Sequence, residues 1–305
     1  GSFSYCKSLL SIPIPENVST IGRMVFCNCE NLTSLTIPKK VTRFEYGLFY
    51  NCYKLESVII LGDVRWIDEG VCYQCTSLSS FVIPENVTFL GKESFFSCTN
   101  LPSISIPKKL TTILESVFKK CTNLVLVEFQ GNVTSISKES FYNCTSLPSF
   151  TVPESVESIS TNTFAYCSSL SSFIFNNKIT SVGDGALSYC TSLTSITIPE
   201  QLTYISSNLF LGCINLLSVE ILGDVANIGT SAFSGCISLP SFTIPENVSK
   251  IESYAFYNCA SLSSIIIPVN VSDISNYLFS KCSNLVSIEF LGDLKSIKSR
   301  AFSEC

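Results

Sequence analysis

The chain contains no histidine. That absence removes the commonest general base, the commonest metal ligand and every Ser-His or Cys-His nucleophile pair. Charge is scarce too. Asp, Glu, Lys and Arg make up only 14% of the residues, so the surface has to be built from Ser, Thr and Asn. The net charge is −5 with a pI near 5.0, which argues against a nucleic-acid partner. Long apolar runs are also missing. The longest are a few residues, far below the roughly 18 needed to span a bilayer, so no direct membrane insertion is expected.

What is present is periodic. Apolar residues make up 46% of the 305, enough for a large core. Cysteine falls at Cys6, Cys29, Cys52, Cys75, Cys98 and onward to Cys305, and every gap is 23 residues. Only Cys27 and Cys72 lie off this series. Counting from each column cysteine, position +3 is Leu in every complete repeat, from Leu9 to Leu285. Positions +6 and +8 are apolar, as in Ile12 and Ile14 or Phe150 and Val152. Position +9 is usually Pro, +12 is Val, Leu or Ile, and +15 is mostly Ile. Position −3 is Phe except at Cys72 and Leu187.

These spacings predict structure. The alternation over +5 to +8 predicts a short strand with one buried face, ended by a proline that lacks an N–H. Around the cysteine the period changes, and −4, −3, 0 and +3 fall on one face of a helical turn. Each unit is therefore expected to be a strand plus a short helix, joined by a Val-x-x-Ile linker. A 23-residue unit cannot bury its own apolar face, whereas stacked units bury each other's. The expected fold is an α/β solenoid, with a parallel β-sheet on the concave face and short helices on the convex face. We expect one array over residues 1–305, about 13 repeats long and a piece of a longer chain. With rungs ~4.8 Å apart it would run on the order of 60 Å. The turn after the strand cycles through "PEN", "PKK" and "LGD", a super-period of about three units.

The pattern C-x-x-L-x-x-I-x-I-P-x-x-V-x-x-I-x-x-x-A/S-F-x-x-C resembles the BspA-like class of leucine-rich repeats. The stretches "AFSGCISLPSFTIPENVSKIESYAFYNC" and "SLTSITIPEQLTYISSNLF" carry the resemblance, which covers essentially the whole chain. It implies a leucine-rich-repeat solenoid from a surface protein of a bacterium or parasitic protist, in a family associated with adhesion. The implied location is extracellular or cell-surface.

Several residue sets are candidates for function. The cysteine column is expected to hold free buried thiols rather than inter-rung disulfides, because side chains in one column point in parallel. Cys72 occupies the Phe slot of its repeat as a core substitution, and Cys27, at −2, is expected to be an exposed thiol. At −2, pointing outward from a helical turn, Tyr50, Tyr73 and Phe96 fall on three consecutive rungs, and at +14 Arg43, Trp66 and Phe89 do the same. Exposed aromatics and Arg anchor interfaces, so both strips are candidate binding sites. On the concave face +5 is Ser in every unit except Leu126, beside a variable +7 column that includes Glu128, Thr151, Thr197, Glu220 and Thr243. A hydroxyl row beside a variable column is a second candidate surface. Sequons at Asn17, Asn31, Asn86, Asn132, Asn143, Asn247 and Asn270 would carry glycans if the protein is secreted by a eukaryote.

The function expected from these residues is non-enzymatic. It is an extracellular or cell-surface adhesion module taking a protein or glycan partner, with self-association as a variant. The alternative is a structural protein assembling end to end into filaments. No metal, cofactor or catalytic residue is expected. Carboxylates such as Glu128, Glu220 and Glu289 fall several rungs apart, too far for an acid–base pair.

Overall fold

A computed structural model describes residues 1–305. The chain forms two compact units, Gly1–Leu147 and Pro148–Cys305. Each is a parallel β-solenoid with a 23-residue repeat, and each rung is named here by its column cysteine.

Strands form on the concave face where the alternation predicts them, and every pairing is parallel and offset by one repeat. In the first unit Ser34–Ile37 pairs with Ser57–Ile60, and Ser103–Ile106 with Leu126–Phe129. In the second unit Ser149–Thr151 pairs with Ser172–Ile174, Ser195–Ile198 with Ser218–Ile221, and Ser264–Ile267 with Ser287–Phe290. The strands do not join into one continuous concave sheet; they form two-stranded pairs. Proline explains the breaks. The second strand of each pair is followed at +9 by Leu61, Gln130, Asn176, Leu222 or Leu291, never by Pro. The N–H of Leu61 donates to Ile37 O at 3.0 Å, and those of Gln130, Leu222 and Leu291 bond Ile106, Ile198 and Ile267 in the same way. A proline at that place has no N–H to close the ladder back to the preceding rung. The Cys75 and Cys236 rungs end in Pro84 and Pro245, and the rungs after them end in Pro107 and Pro268. Unbonded on either side, residues 80–83 and 241–244 form no strand.

Glycine fits the "LGD" turn because the turn lies against the rung before it. A Cβ on Gly62 would stand 2.3 Å from Val41 O, and one on Gly223 would stand 2.2 Å from Glu200 O. The linker, expected to be a loop, carries a second parallel ladder of two-residue strands at +14 and +15. Arg43–Phe44, Trp66–Ile67 and Phe89–Leu90 form one three-stranded set, and Tyr204–Ile205, Asn227–Ile228 and Lys250–Ile251 another.

The convex face holds no helix, contrary to expectation. Its backbone runs as successive turns. In each complete rung the residues at −5 and −1 have left-handed φ, as at Glu93 (55°) and Ser97 (58°) or Ser116 (57°) and Lys120 (63°). Such residues end a right-handed helix. The turns redirect alternate N–H groups to the next rung. Phe26 N–H bonds Leu48 O at 3.0 Å, Phe49 bonds Val71 at 2.8 Å, and Phe210 bonds Ala232 at 2.8 Å. The polar backbone is satisfied by stacking rather than by a helix.

The core is built from the predicted columns. Leu32, Leu55, Leu78 and Leu101 at +3 are fully enclosed, as are the Phe side chains at −3 from Phe26 to Phe279. These rings stack at 5.5–5.9 Å along Phe26–Phe49 and Phe95–Phe118–Phe141, and at 5.4–5.6 Å along Phe210–Phe233–Phe256–Phe279–Phe302. Where Cys72 interrupts the stack, Phe44 turns edge-on to Phe49 and Phe81 edge-on to Phe95, which refills the space.

The cysteine column answers to two demands, size and a donor. Each buried S–H points to the backbone carbonyl at −3 of the rung before. Cys52 Sγ lies 3.0 Å from Phe26 O, Cys121 Sγ 3.1 Å from Phe95 O, and Cys236 Sγ 3.3 Å from Phe210 O. Alanine would fit the slot but could not donate. All sixteen thiols are free, as expected. Cys27 is a correction: it is 1% exposed, because without a helix −2 does not face solvent.

Candidate functional site

The concave face presents the +5 and +7 columns. Serine hydroxyls at +5, such as Ser195, Ser218 and Ser264, are exposed. So are Glu128, Thr151, Thr197, Glu220 and Thr243 at +7. The same column exposes aliphatic side chains: Val82 is 77% exposed, Ile59 55%, Ile174 54% and Ile266 52%. Ile59 and Val82 lie on adjacent rungs, and a contiguous exposed apolar patch of this kind marks a surface that something covers.

Three grooves open on this face, and each lies at a seam that proline leaves unbonded. One of about 550 Å³ separates the Cys75 and Cys98 rungs, over Phe81, Val82 and Ile104, and reaches Glu128. One of about 380 Å³ separates the Cys167 and Cys190 rungs, over Phe173, Ile174 and Ile196, with Leu222 at its rim. The third, of about 360 Å³, separates the Cys236 and Cys259 rungs, over Phe242, Ile265 and Ile266, with Leu291 at its rim. The first groove belongs to the first unit and the other two to the second. Each has Phe at +6 in its leading rung and serine hydroxyls along its wall. Sequence reasoning missed the grooves. The signal was readable: Pro at +9 in the following rung, with Phe at +6 in the leading one.

The two predicted aromatic strips exist, but as stacks rather than exposed rings. Tyr50 and Tyr73 lie 4.3 Å apart at 2°, and Tyr73 and Phe96 lie 4.6 Å apart at 5°. All three rings are half-buried. They fold down over a bare backbone: Gly47 and Gly70, at −5, have φ of 61° and 63°, and a Cβ on Gly70 would lie 3.5 Å from the Tyr50 ring. Burial, followed by the neighbouring Tyr73, pushes the Tyr50 phenol well above its usual range. The stack ends in cations. Lys120 Nζ sits 5.6 Å from the Phe96 ring centre, and Lys119 Nζ sits 4.9 Å from that of Tyr142. Lys119 also pairs with Glu139.

At +14 Trp66 and Phe89 stack at 3.9 Å and 13°, and the Arg43 guanidinium lies 5.0 Å over Trp66. Arg43 is held by Glu45 and Asp68, each at 3.1 Å. Two further stacks were not foreseen. Tyr166 lies 4.6 Å from Tyr189, whose ring covers Gly212 so closely that a Cβ there would stand 2.6 Å away. Tyr254 lies 4.6 Å from Tyr277, with Arg300 over the latter at 5.7 Å. Glycine one repeat beyond Tyr189 in the same column, and three residues before Tyr50 and Tyr73, is the sequence signal for those stacks.

Of the sequon asparagines, Asn17, Asn132, Asn247 and Asn270 are exposed, and Asn31, Asn86 and Asn143 are half-buried. Several amide nitrogens already donate. Asn86 bonds Asp63 at 2.7 Å, Asn247 bonds Asp224 at 2.6 Å, and Asn31 bonds Lys7 O at 2.7 Å. The thiol column is chemically quiet. Burial holds Cys121 and Cys213 up at about 12 and holds Cys98, Cys190, Cys236 and Cys259 well above the ordinary thiol value. A thiol that stays protonated is a poor nucleophile and a poor metal ligand.

A family model for the BspA-type leucine-rich repeat region matches residues 1–125, 116–239 and 203–305. The chain belongs to that family. Among solved structures, a leucine-rich repeat protein from Bacteroides ovatus is 26% identical with a TM-score of 0.70. The match covers 95% of this chain and 92% of that one. A leucine-rich cell-surface protein from Faecalibacterium prausnitzii is also 26% identical, with a TM-score of 0.57 and coverage of 93% and 88%. The pneumococcal vaccine antigen PcpA, at 18% identity, shares the fold with a TM-score of 0.59 and coverage of 92% and 79%. No curated protein matches the chain. As in the sequence, no helix is long and apolar enough to cross a membrane.

Proposed function

We propose that the chain is a non-enzymatic binding module displayed outside the cell, and that it takes a protein or glycan partner on its concave face. The observation that carries this is the groove repeated at the proline seams, rimmed by exposed Val82, Ile174, Ile266, Leu222 and Leu291. Solenoids of this kind present such faces to partners. The cell-surface relative from Faecalibacterium prausnitzii supports the location. Isolated carboxylates support a non-catalytic reading. Glu220 and Glu289 are three rungs apart, about 14 Å, beyond the reach of a hydrolytic acid–base pair. The aromatic stacks bury much of their own surface and are the less open of the two candidate faces.

The test is surface plasmon resonance against a panel of purified matrix proteins and glycans. The wild type is compared with the triple variant Val82→Lys, Ile174→Lys, Ile266→Lys. All three side chains are exposed, so circular dichroism should be unchanged. At least one saturable partner is expected, weakened tenfold or more in the variant. Binding that survives the triple change but falls with Trp66→Ala and Tyr73→Ser would move the site to the stacks. No saturable partner at all would refute the module.

A further inference from the structure

The grooves and the acidic residues of the concave face follow one beat. Each seam that opens into a groove is followed by a glutamate at +7 in the second strand of the next pair. Glu128 follows the Cys75–Cys98 seam, Glu220 the Cys167–Cys190 seam, and Glu289 the Cys236–Cys259 seam. In each case the carboxylate lies one and a half rungs past the seam. At ~4.8 Å per rung that is about 7 Å. Two of these grooves lie in the second unit, three rungs or about 14 Å apart, with Glu220 midway between them.

No cation of the chain answers these carboxylates. Columns +4 to +8 of every rung contain no Lys or Arg. Glu220 receives only the Thr197 hydroxyl, at 3.1 Å, and its strand neighbour is Thr197; the neighbour of Glu289 is Ile266. All three glutamates are exposed. The adjoining turns of the second unit add Glu154, Glu200, Asp224, Glu246 and Asp293 against a single Lys178.

An extended polypeptide has a matching repeat. Its side chains point to one face every second residue, about 6.8 Å apart, and every fourth residue, about 13.5 Å apart. A helix rises only about 6 Å over four residues, so its i, i+4 pair cannot reach two seams. We infer that the concave face of the second unit takes an extended peptide segment of a partner protein, lying across the rungs and reading apolar-x-basic-x-apolar-x-basic. The first apolar side chain enters the groove over Phe173 and Ile174. The basic one meets Glu220. The next apolar one enters the groove over Phe242 and Ile266, and the last basic one meets Glu289. The exposed hydroxyls of Ser195, Ser218, Ser241 and Ser264 stand beside this track as partners for the peptide backbone. The inference rests on the binding-module reading above and names the chemistry of its partner.

The probe is a fluorescein-labelled peptide containing Leu-Ser-Lys-Ser-Leu-Ser-Lys, titrated with the full chain and read by fluorescence anisotropy. The control has the same composition with its leucines three residues apart. The matched peptide should bind at least tenfold more tightly than the control. Glu220→Lys should weaken it tenfold or more, Ile174→Ser several-fold, and added salt should weaken it further. Unchanged urea midpoints in both variants show that folding is intact. Equal affinity for the two peptides overturns the inference, as does an effect of Glu220→Lys within twofold, or no saturable binding up to about millimolar peptide. If the panel partner of the previous section is a glycan, or still binds Glu220→Lys at full strength, the module stands and only this partner chemistry falls.

Discussion

The buried thiols make the protein labile to alkali, and the effect can be sized. Cys190, Cys213, Cys236 and Cys259 sit fully enclosed in one unit. Their ordinary value is 9.0; burial lifts Cys213 to about 12 and raises the other three well above that ordinary value. The folded state therefore keeps these thiols neutral where the unfolded chain ionises them. The stability linked to the shift is complete below about pH 9 and is lost as the pH rises towards 12, because the unfolded state then binds fewer protons. At about pH 10 each unfolded thiol gains about 1.4 kcal/mol by ionising. Four of them sum to about 6 kcal/mol, a large share of the 5–15 kcal/mol that is typical of a domain. Urea unfolding followed by circular dichroism, in reductant, should show a midpoint that is flat from about pH 7 to 8.5 and then falls steeply. Apart from Cys6 and Cys305, which are not buried, the thiols should ionise with unfolding and not before it, as read by thiolate ultraviolet absorbance. A midpoint unchanged between about pH 8 and 10 would refute the argument, as would more thiolate than Cys6 and Cys305 can supply while the circular dichroism is still native.

Other outcomes follow from single contacts. Phe118→Ala removes a ring stacked between Phe95 and Phe141 and should cost ~3–5 kcal/mol in the unfolding midpoint; a cost no larger than that of a surface Ser→Ala change would contradict the register. Cys121→Ala loses a buried sulfur and its S–H bond to Phe95 O, and should cost roughly 1–2 kcal/mol, read by the fluorescence of the single Trp66. Leu61→Pro deletes the N–H that reaches Ile37 O and should increase amide exchange across Ser57–Ile60; unchanged protection would show that proline does not set the seams. Gly212→Ala forces the Tyr189 ring away and strains a φ of 72°, so it should destabilise by ~1–3 kcal/mol, whereas Gly1→Ala should not.

The 23-residue beat, the buried columns from Leu32 to Leu262, the parallel register and the free thiols were all legible in the sequence, because a core column repeats only if its neighbours stack on it. The breaks between strand pairs were written there as well, in prolines that cannot donate to the rung before. The convex face was not legible. A turn with i to i+3 bonds and a helix place −3, 0 and +3 alike, and the left-handed residues that separate the two include Glu93, Lys120 and Tyr166, none of which announces that conformation. Their φ is set by backbone bonds to the next rung, a partner 22 residues away. The same non-local turn brought −2 inward, buried Cys27 and laid Tyr50, Tyr73 and Phe96 on one another over Gly47 and Gly70. Composition and spacing decide which residues a solenoid buries. Only the stacked rungs decide what their remaining side chains face, because those contacts exist between repeats and not within one.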